Sequence, residues 1–474
     1  MSEDFILLQN REDITLGGSF DEEAASDVTG RGHERSSDRV SVWGSLPDVC
    51  LRLVFRFLPV HDRLSAGLAC RHWHYAMRCP SLWRSYFYFF NGHMCRYGQS
   101  ERLAAVNYVR SLGVYLQRLE VCVSPPCTFL AALRIERAII RLLSELTRVN
   151  ALLWSFSLKM LELDRVAWTL RIKNSLVNSL THFLRRRSSK LTSVCLYGMQ
   201  NCMNHALLLL SALSHAQNLS SLDVRKFFSG AVHVHLNSRV PDAMGHLQGL
   251  THLSLSYSCL SDGLLTALGH GGRRQSSSRD GVTLRTFSLH CTLNEPHRQL
   301  VSGGSWATLA SSCPDLKVML TVEQVINTNH LANILLPEIP LTEYTMAALY
   351  YSDDWNATPT LCDMLPRFRR SLQYLTLDLG NFSESLDEEL LELVKVCECL
   401  EQLTVWAFLE VSTVERLLHI RLTQKSLLNK ISMEIYTLDN IGEQRDQLKE
   451  ILSSHQHLPP QLEFSVIVCP YIDL

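Results

Sequence analysis

The 474-residue chain carries 45 Lys+Arg against 47 Asp+Glu, a formal charge of −2, with 46% hydrophobic residues. That length exceeds one small core and predicts two or three domains or a repeat array. The near-neutral balance excludes a broad basic footprint for nucleic acid, and no stretch nears the roughly 18 apolar residues that cross a bilayer.

Residues 1–40 mix acids, Arg, Ser and Gly ("DEEAASDVTGRGHERSSDR") and cannot repay the entropy of ordering, which predicts a disordered tail. The apolar run at 5–8 is too short and too closely flanked by acids for a signal peptide. The 15 cysteines are therefore read as reduced thiols of a cytosolic or nuclear chain.

Residues 41–88 form a compact helical package. Pro47 suits a first helical position, and Leu51, Val54, Phe55 and Leu58 recur at helical spacing. Pro59 stops that helix, and Asp62 can cap a second one carrying Leu64, Leu68 and Trp73. A Cys-Pro-Ser turn at 79–81 then leads to Leu82 and Trp83. Residues 89–115 read as a helical linker.

From residue 116 to 474 a pattern L-x-x-L-x-L returns. It begins as Leu116-Leu119-Val121, Leu158-Leu161-Leu163, Leu191-Val194-Leu196 and Leu219-Leu222-Val224. It continues through Leu250-Leu253-Leu255, Leu284-Phe287-Leu289, Leu341-Tyr344-Met346, Leu372-Leu375-Leu377, Leu400-Leu403-Val405 and Leu428-Ile431-Met433, with a weaker copy at Leu316-Met319. The segment "LEFSVIVCP" can add a closing strand. Copies lie about 25 to 35 residues apart after one longer first gap, the period of leucine-rich repeats. Alternate residues after the first Leu point to one side of a short strand, and helices between copies must cover that side. One such unit cannot bury its own apolar face, so stacking is obligatory. The predicted fold class is an α/β repeat solenoid of irregular leucine-rich repeats preceded by a small all-α domain. In "SESLDEELLELVKVCECL", Ser385 with Glu388 makes a capping box, and Leu386, Leu390, Leu391, Val394 and Cys397 form a stripe. The Asn or Cys usual at the ninth repeat position is mostly replaced, by Met199, Phe227, Ser258, Thr292 and Gly380, which predicts that the turns lack their usual ladder of hydrogen bonds.

"GHGGRRQSSSRDG" (269–281) reads as a solvated loop. In "YYSDDWNATPT", the residues Tyr350, Tyr351, Asp353, Asp354 and Trp355 fit either a hot spot for a basic target peptide or a loop staple. Arg185, Arg186, Arg187 and Lys190 fit a solvated helix C-terminal cap better than an RNA contact. Cys122 with Cys127, Cys397 with Cys399, and Cys70-His72-His74 lack the second ligand pair of a zinc site. Phosphate-loop and hydrolase motifs are missing. No cofactor, no metal and no catalytic residue is therefore expected.

Residues 46–83 resemble an F-box, the module of about forty residues that ties a receptor to the adaptor Skp1 in cullin-RING ubiquitin ligases. Leu46-Pro47-Asp48 fits the opening, Leu51, Val54-Phe55 and Leu58 the first helix, and Asp62 the loop acid. Leu64 and Leu68 fit the second helix, Cys70-Arg71-His72-Trp73 its Cys-Arg-x-Trp, and Ser81-Leu82-Trp83 the closing Leu-Trp. Trp43 sits where several F-box proteins place a Trp. Arg63 departs from the apolar residue common there, and Ala69 is smaller than the usual Val. The segments "LELDRVAW", "ILLPEIP", "SLDEEL" and "VWAFLEVSTVERLL" extend the likeness to F-box proteins with leucine-rich repeats. The resemblance implies a non-catalytic receptor that meets Skp1, and through it a cullin-RING core, while its repeats hold an unidentified protein substrate. Expected docking residues are Trp43, Leu46, Pro47, Leu51, Val54, Phe55, Leu58 and Leu64, with Trp73 and Trp83 in the package's own core. The alternative is a Skp1-binding or free repeat scaffold outside ubiquitin transfer. Neither nucleic acid nor membrane is an expected partner.

Overall fold

The computed structural model describes residues 46–91, 98–271, 283–293, 299–325, 327–348, 356–382, 384–423, 427–438, 441–455 and 458–471. The tail, Trp43, and the loop candidates Tyr350, Tyr351, Asp353, Asp354 and Trp355 lie outside the described residues.

Three helices open the described chain, α1 (Asp48–Phe57), α2 (Val60–Ala66) and α3 (Arg71–Met77), followed by a 3-10 turn at Pro80–Trp83. Strands β1 (Ser85–Phe90), β2 (Arg118–Val123), β3 (Ser155–Lys159), β4 (Ser193–Cys195), β5 (Ser221–Val224), β6 (His252–Ser256) and β7 (Thr286–Thr292) come next. The series closes with β8 (Lys317–Glu323), β9 (Leu341–Ala348), β10 (Tyr374–Leu379), β11 (Gln402–Ala407), β12 (Lys430–Thr437) and β13 (Glu463–Pro470). Among the described residues they form one 13-stranded sheet in strict chain order, and neighbouring strands run parallel. Parallel strands need crossovers, and here the intervening helices pack against one another in a layer on one face of the sheet. Helices α4 (Gly98–Leu112), α5 (Phe129–Arg148) and α6 (Leu170–Arg187) begin that layer. This is an α/β solenoid behind a small helical unit.

The repeat pattern sets the register. Leu119 lies beside Phe156, Leu375 beside Leu403, and Leu403 beside Ile431, all buried in one core that extends from Leu51 to Val468. Two copies sit elsewhere than the spacing predicts. The β3 copy is Leu153-Phe156-Leu158, so Leu158 ends the motif, and Leu161 and Leu163 are buried in the turn beyond. At β8 the core positions are Val318 and Leu320, while Met319 faces outward across a register shift against β9. The sheet also starts earlier than residue 116. β1 overlaps the 41–88 segment, and its Tyr86, Tyr88 and Phe90 take the inward positions opposite Leu119, Val121 and Val123. An aromatic alternation without leucine carries no L-x-x-L-x-L signature. Between β1 and β2, α4 packs on α5 as part of the helical layer.

The turns are not without bridging side chains. Asn381, one residue past Gly380, is buried; its Nδ2 donates to the carbonyls of Phe408 (2.9 Å) and Glu384 (3.0 Å), and its Oδ1 accepts from Phe408 N (2.9 Å). Asn201, two residues past Met199, donates to the Phe227 carbonyl at 3.0 Å. These displaced asparagines bridge successive turns in two of the repeats. The stripe Leu386, Leu390, Leu391, Val394 and Cys397 is buried as expected, but the capping box is not formed. The helix Asp387–Val396 starts one residue later than that motif requires; Ser385 donates to Asp387 and Glu388 pairs with Arg416. Arg187 is likewise not a solvated cap. It is buried and donates to Leu146 O (2.7 Å), Ala151 O (3.2 Å) and Asn150 Oδ1 (2.9 Å), closing the C-terminus of the preceding helix α5. Burial lowers its pKa from the usual guanidinium value.

Candidate functional site

The helical unit is built around α1, which is apolar on two sides. Leu51 (1% exposed) and Phe55 (0%) turn inward on Ala76, Met77 and Leu82, and Phe55 meets Trp73 edge-on at 5.3 Å. Pro47 occupies the N-cap without a side-chain cap, and His72 Nε2 lies 2.9 Å from Asp48 Oδ1, joining α3 to the first turn of α1. Cys70 caps α3 by accepting from Trp73 N at 3.4 Å. The second helix ends at Ala66, so Leu68 falls in the following turn and Trp73 on α3. Trp83 donates to Met77 O (2.8 Å) and Tyr108 donates to Trp83 O (3.1 Å), which seats the unit on the first repeat. Stacking of Tyr86 on Tyr108 at 3.9 Å extends that seam.

Arg63, an irregular residue for an F-box, is half-buried inside the unit. Its Nε donates to Phe55 O (2.9 Å) and Leu58 O (3.0 Å), and its terminal nitrogens donate to Leu82 O and to Arg56 O (3.1 Å). It thus serves the Leu58 and Arg56 carbonyls at the end of α1, adds a second donor to Phe55 O beside the Leu58 N–H (3.2 Å), and ties that end to the closing turn. Burial lowers its pKa.

The outward side of α1 carries Cys50, Leu53, Val54 and Phe57 at i, i+3, i+4 and i+7, all exposed, Phe57 at 88%. Val49, Leu64, Leu68 (74%) and Tyr75 add to the apolar exposure. The residues expected to dock a partner therefore divide. Pro47, Val54 and Leu64 are exposed, Leu46 and Leu58 are half-buried against the core, and Leu51 and Phe55 lie inside it. Leu53, Phe57 and Leu68 are exposed and lie outside that expected set. The second stripe, offset by one residue from Leu51-Val54-Phe55-Leu58, was the available signal.

Beside this face, Cys79 Sγ lies 3.1 Å from Ser81 Oγ and 3.5 Å from an Arg52 nitrogen. The Ser81 hydrogen bond, helped by Arg52, lowers its pKa to about 7. Burial acts oppositely on Cys397, pushed up to about 12. Among the described residues no group of three or more His, Cys, Asp or Glu could hold a metal ion, and no helix is long and apolar enough to cross a membrane.

The face of the sheet away from the helices is polar. In its first half, carboxylates are paired: Glu120 with Lys159 (2.6 Å), Asp223 with Arg225 (2.8 Å), and Glu323 with His290 (2.9 Å) and Lys226 (3.9 Å). The His290 hydrogen bond lowers the Glu323 pKa. In the second half, burial raises the pKa of Glu343, and burial with the nearby Glu434 raises that of Asp378 against a hydrogen bond from Tyr436.

A helical unit with exposed apolar side chains is thus fused to a repeat solenoid. An F-box-like family profile matches residues 43–88. The chain is 24% identical over 282 residues to F-box/LRR-repeat protein 21 of Ovis aries, covering 59% of each. The Bos taurus protein of the same name is 24% identical over 279 residues, again 59% of each. The chain therefore spans about three-fifths of the length of the curated relatives it matches. A solved structure titled as a TLR13–ssRNA13 complex is similar at a TM-score of 0.32 and 12% identity, over 74% of this chain and 49% of that one.

Proposed function

We propose that this chain is the substrate-recognition subunit of a Skp1–cullin–F-box ubiquitin ligase. Its helical unit docks Skp1, and its repeats recruit a protein for ubiquitination in the cytosol or nucleus. The observation that carries this reading is the exposed stripe Leu53, Val54 and Phe57 on α1, with Leu64 and Leu68 also exposed, on a unit whose own core is already filled by Leu51 and Phe55. Large apolar side chains clustered in the open mark interaction sites. Pro47, Leu46 and Leu58 flank the stripe, and Trp43 precedes it in sequence. The F-box-like match supports the same partner, since F-box domains generally bind Skp1 and F-box/LRR proteins are generally non-catalytic adaptors. Catalysis is then proximity: the receptor raises the effective concentration of a target lysine beside a charged E2. Within the class, "LELDRVAW", "ILLPEIP", "SLDEEL" and "VWAFLEVSTVERLL" resemble segments of F-box only protein 39.

The test is capture of purified Skp1 by the full chain carrying Phe57→Asp or Val54→Asp. Loss of capture with an unchanged circular-dichroism melt is expected, because a charge would be buried without a partner. Capture at the wild-type level by both variants overturns the reading. Capture of Skp1 without co-purifying cullin supports the scaffold alternative instead.

A further inference from the structure

Among the described residues, the outward side chains from β9 to β13 make a trough by size alone, a strip of small residues flanked by rows of longer ones. Its floor is a row of small hydroxyl side chains in register, Thr345, Thr376, Thr404, Ser432 and Ser465. Two residues along each strand to one side runs a row holding Glu343, Tyr374, Gln402 and the pair Lys430–Glu463 (3.3 Å). To the other side runs a row holding Asp378, Trp406 and Glu434 on adjacent strands. Strand spacing of about 4.8 Å makes the floor ~19 Å long, and a rise of ~3.3 Å per residue sets the flanking rows ~13 Å apart. That is room for roughly six residues of extended chain laid across the strands.

The charge of the trough is one-sided. Among the described residues no cation forms an ion pair with Glu343, Asp378 or Glu434, in contrast to the paired carboxylates nearer the helical unit. Asp378 Oδ1 is buried and no donor in the described chain reaches it. A buried acceptor left unmade is costly, and a donor arriving with a ligand would relieve it. Trp406 stands between Asp378 and Glu434, so a cation entering there meets two carboxylates and an indole ring. Threonine and serine hydroxyls along the floor can serve the donors and acceptors of a peptide backbone.

We propose that this trough binds an extended, lysine- or arginine-bearing segment of the protein that the chain recruits. The proposal rests on the receptor reading above and names the class of target it takes. A cationic side chain sits over Trp406 between Asp378 and Glu434, a second reaches Glu343 across the floor, and the peptide backbone follows the hydroxyl row.

The test is fluorescence anisotropy of the full chain with two labelled nonapeptides of alternating sequence, Arg-Ala and Glu-Ala. The Arg-Ala peptide is expected to bind, more weakly as salt rises, and the Glu-Ala peptide not to bind. Asp378→Asn with Glu434→Gln should weaken Arg-Ala binding at least tenfold, and Trp406→Ala several-fold. Glu443→Gln with Glu450→Gln, which removes equal charge from exposed positions on the helix Ile441–Ser454, should leave binding within twofold. Equal loss in that control, or wild-type affinity in the Asp378/Glu434 variant, overturns the proposal. Phe57→Asp should bind the peptide normally, so a failure to capture Skp1 and a failure to bind the peptide are read separately.

Discussion

Replacing Arg63 by leucine restores the apolar character usual at that F-box position, yet it should destabilise this chain. The guanidinium donates to the carbonyls of Phe55, Leu58, Leu82 and Arg56. A hydrogen bond to a charged donor contributes about 1.5–3 kcal/mol net. The Arg56 contact is exposed and counts for little, and the Phe55 and Leu58 carbonyls share one N–H, leaving two effective contributions. Against roughly 4 kcal/mol from these stands the desolvation that Arg63 no longer suffers, so a net loss of about 3 kcal/mol is expected. Because the whole chain is too long to unfold in two states, the local quantity to measure is amide exchange in peptides spanning 48–58. A loss of about 3 kcal/mol corresponds to a roughly hundredfold fall in protection of α1. The proposed Skp1 capture should weaken with it, since Phe57 is the last residue of the helix end that Arg63 secures. Protection within threefold of wild type would show that water serves those carbonyls equally well and would refute the bridging role.

Other expectations follow from the same geometry. Phe55→Ala should cost about 3–5 kcal/mol of stability in the helical unit, measured by exchange, whereas Phe57→Asp should leave protection unchanged. Asn381→Ala should lose about 2 kcal/mol by stranding the backbone groups of Phe408, seen as increased exchange of β11 and its turn relative to β2. Arg187→Met should expose the C-terminal amides of α5 to exchange by removing the side-chain donor to Ala151 O and leaving Leu146 O with the Ala151 N–H (3.2 Å) in place of two donors. Cys79, with its pKa lowered to about 7, should be alkylated half-maximally near pH 7, with the rate rising from pH 6 to 8 as thiolate forms. Ser81→Ala should move that midpoint upward; a midpoint unchanged in peptide-resolved mass spectrometry would refute the assignment.

Much of this architecture was legible in residue spacing. The L-x-x-L-x-L recurrence encodes parallel stacking directly, because alternation and period are local properties that survive in one dimension. The F-box-like segment was legible for a similar reason: its prolines, Cys-Arg-x-Trp and closing Leu-Trp lie at short separations. What the chain alone left open was the direction each stripe faces. α1 is apolar on two sides, and only the packing of Trp73, Met77 and Leu82 decides that Leu51 and Phe55 go inward while Val54 and Phe57 stay in water. The strand of aromatic residues at Ser85–Phe90 was hidden because its core positions are tyrosine and phenylalanine rather than leucine. Arg63, Arg187 and Asn381 look like surface residues in one dimension; their partners are carbonyls 19, 41 and 27 residues away, brought close only when helices and turns stack. The trough between β9 and β13 is the same kind of fact. Glu343, Asp378 and Glu434 are scattered along the chain, and parallel register places them on one face, where no cation among the described residues forms an ion pair with them.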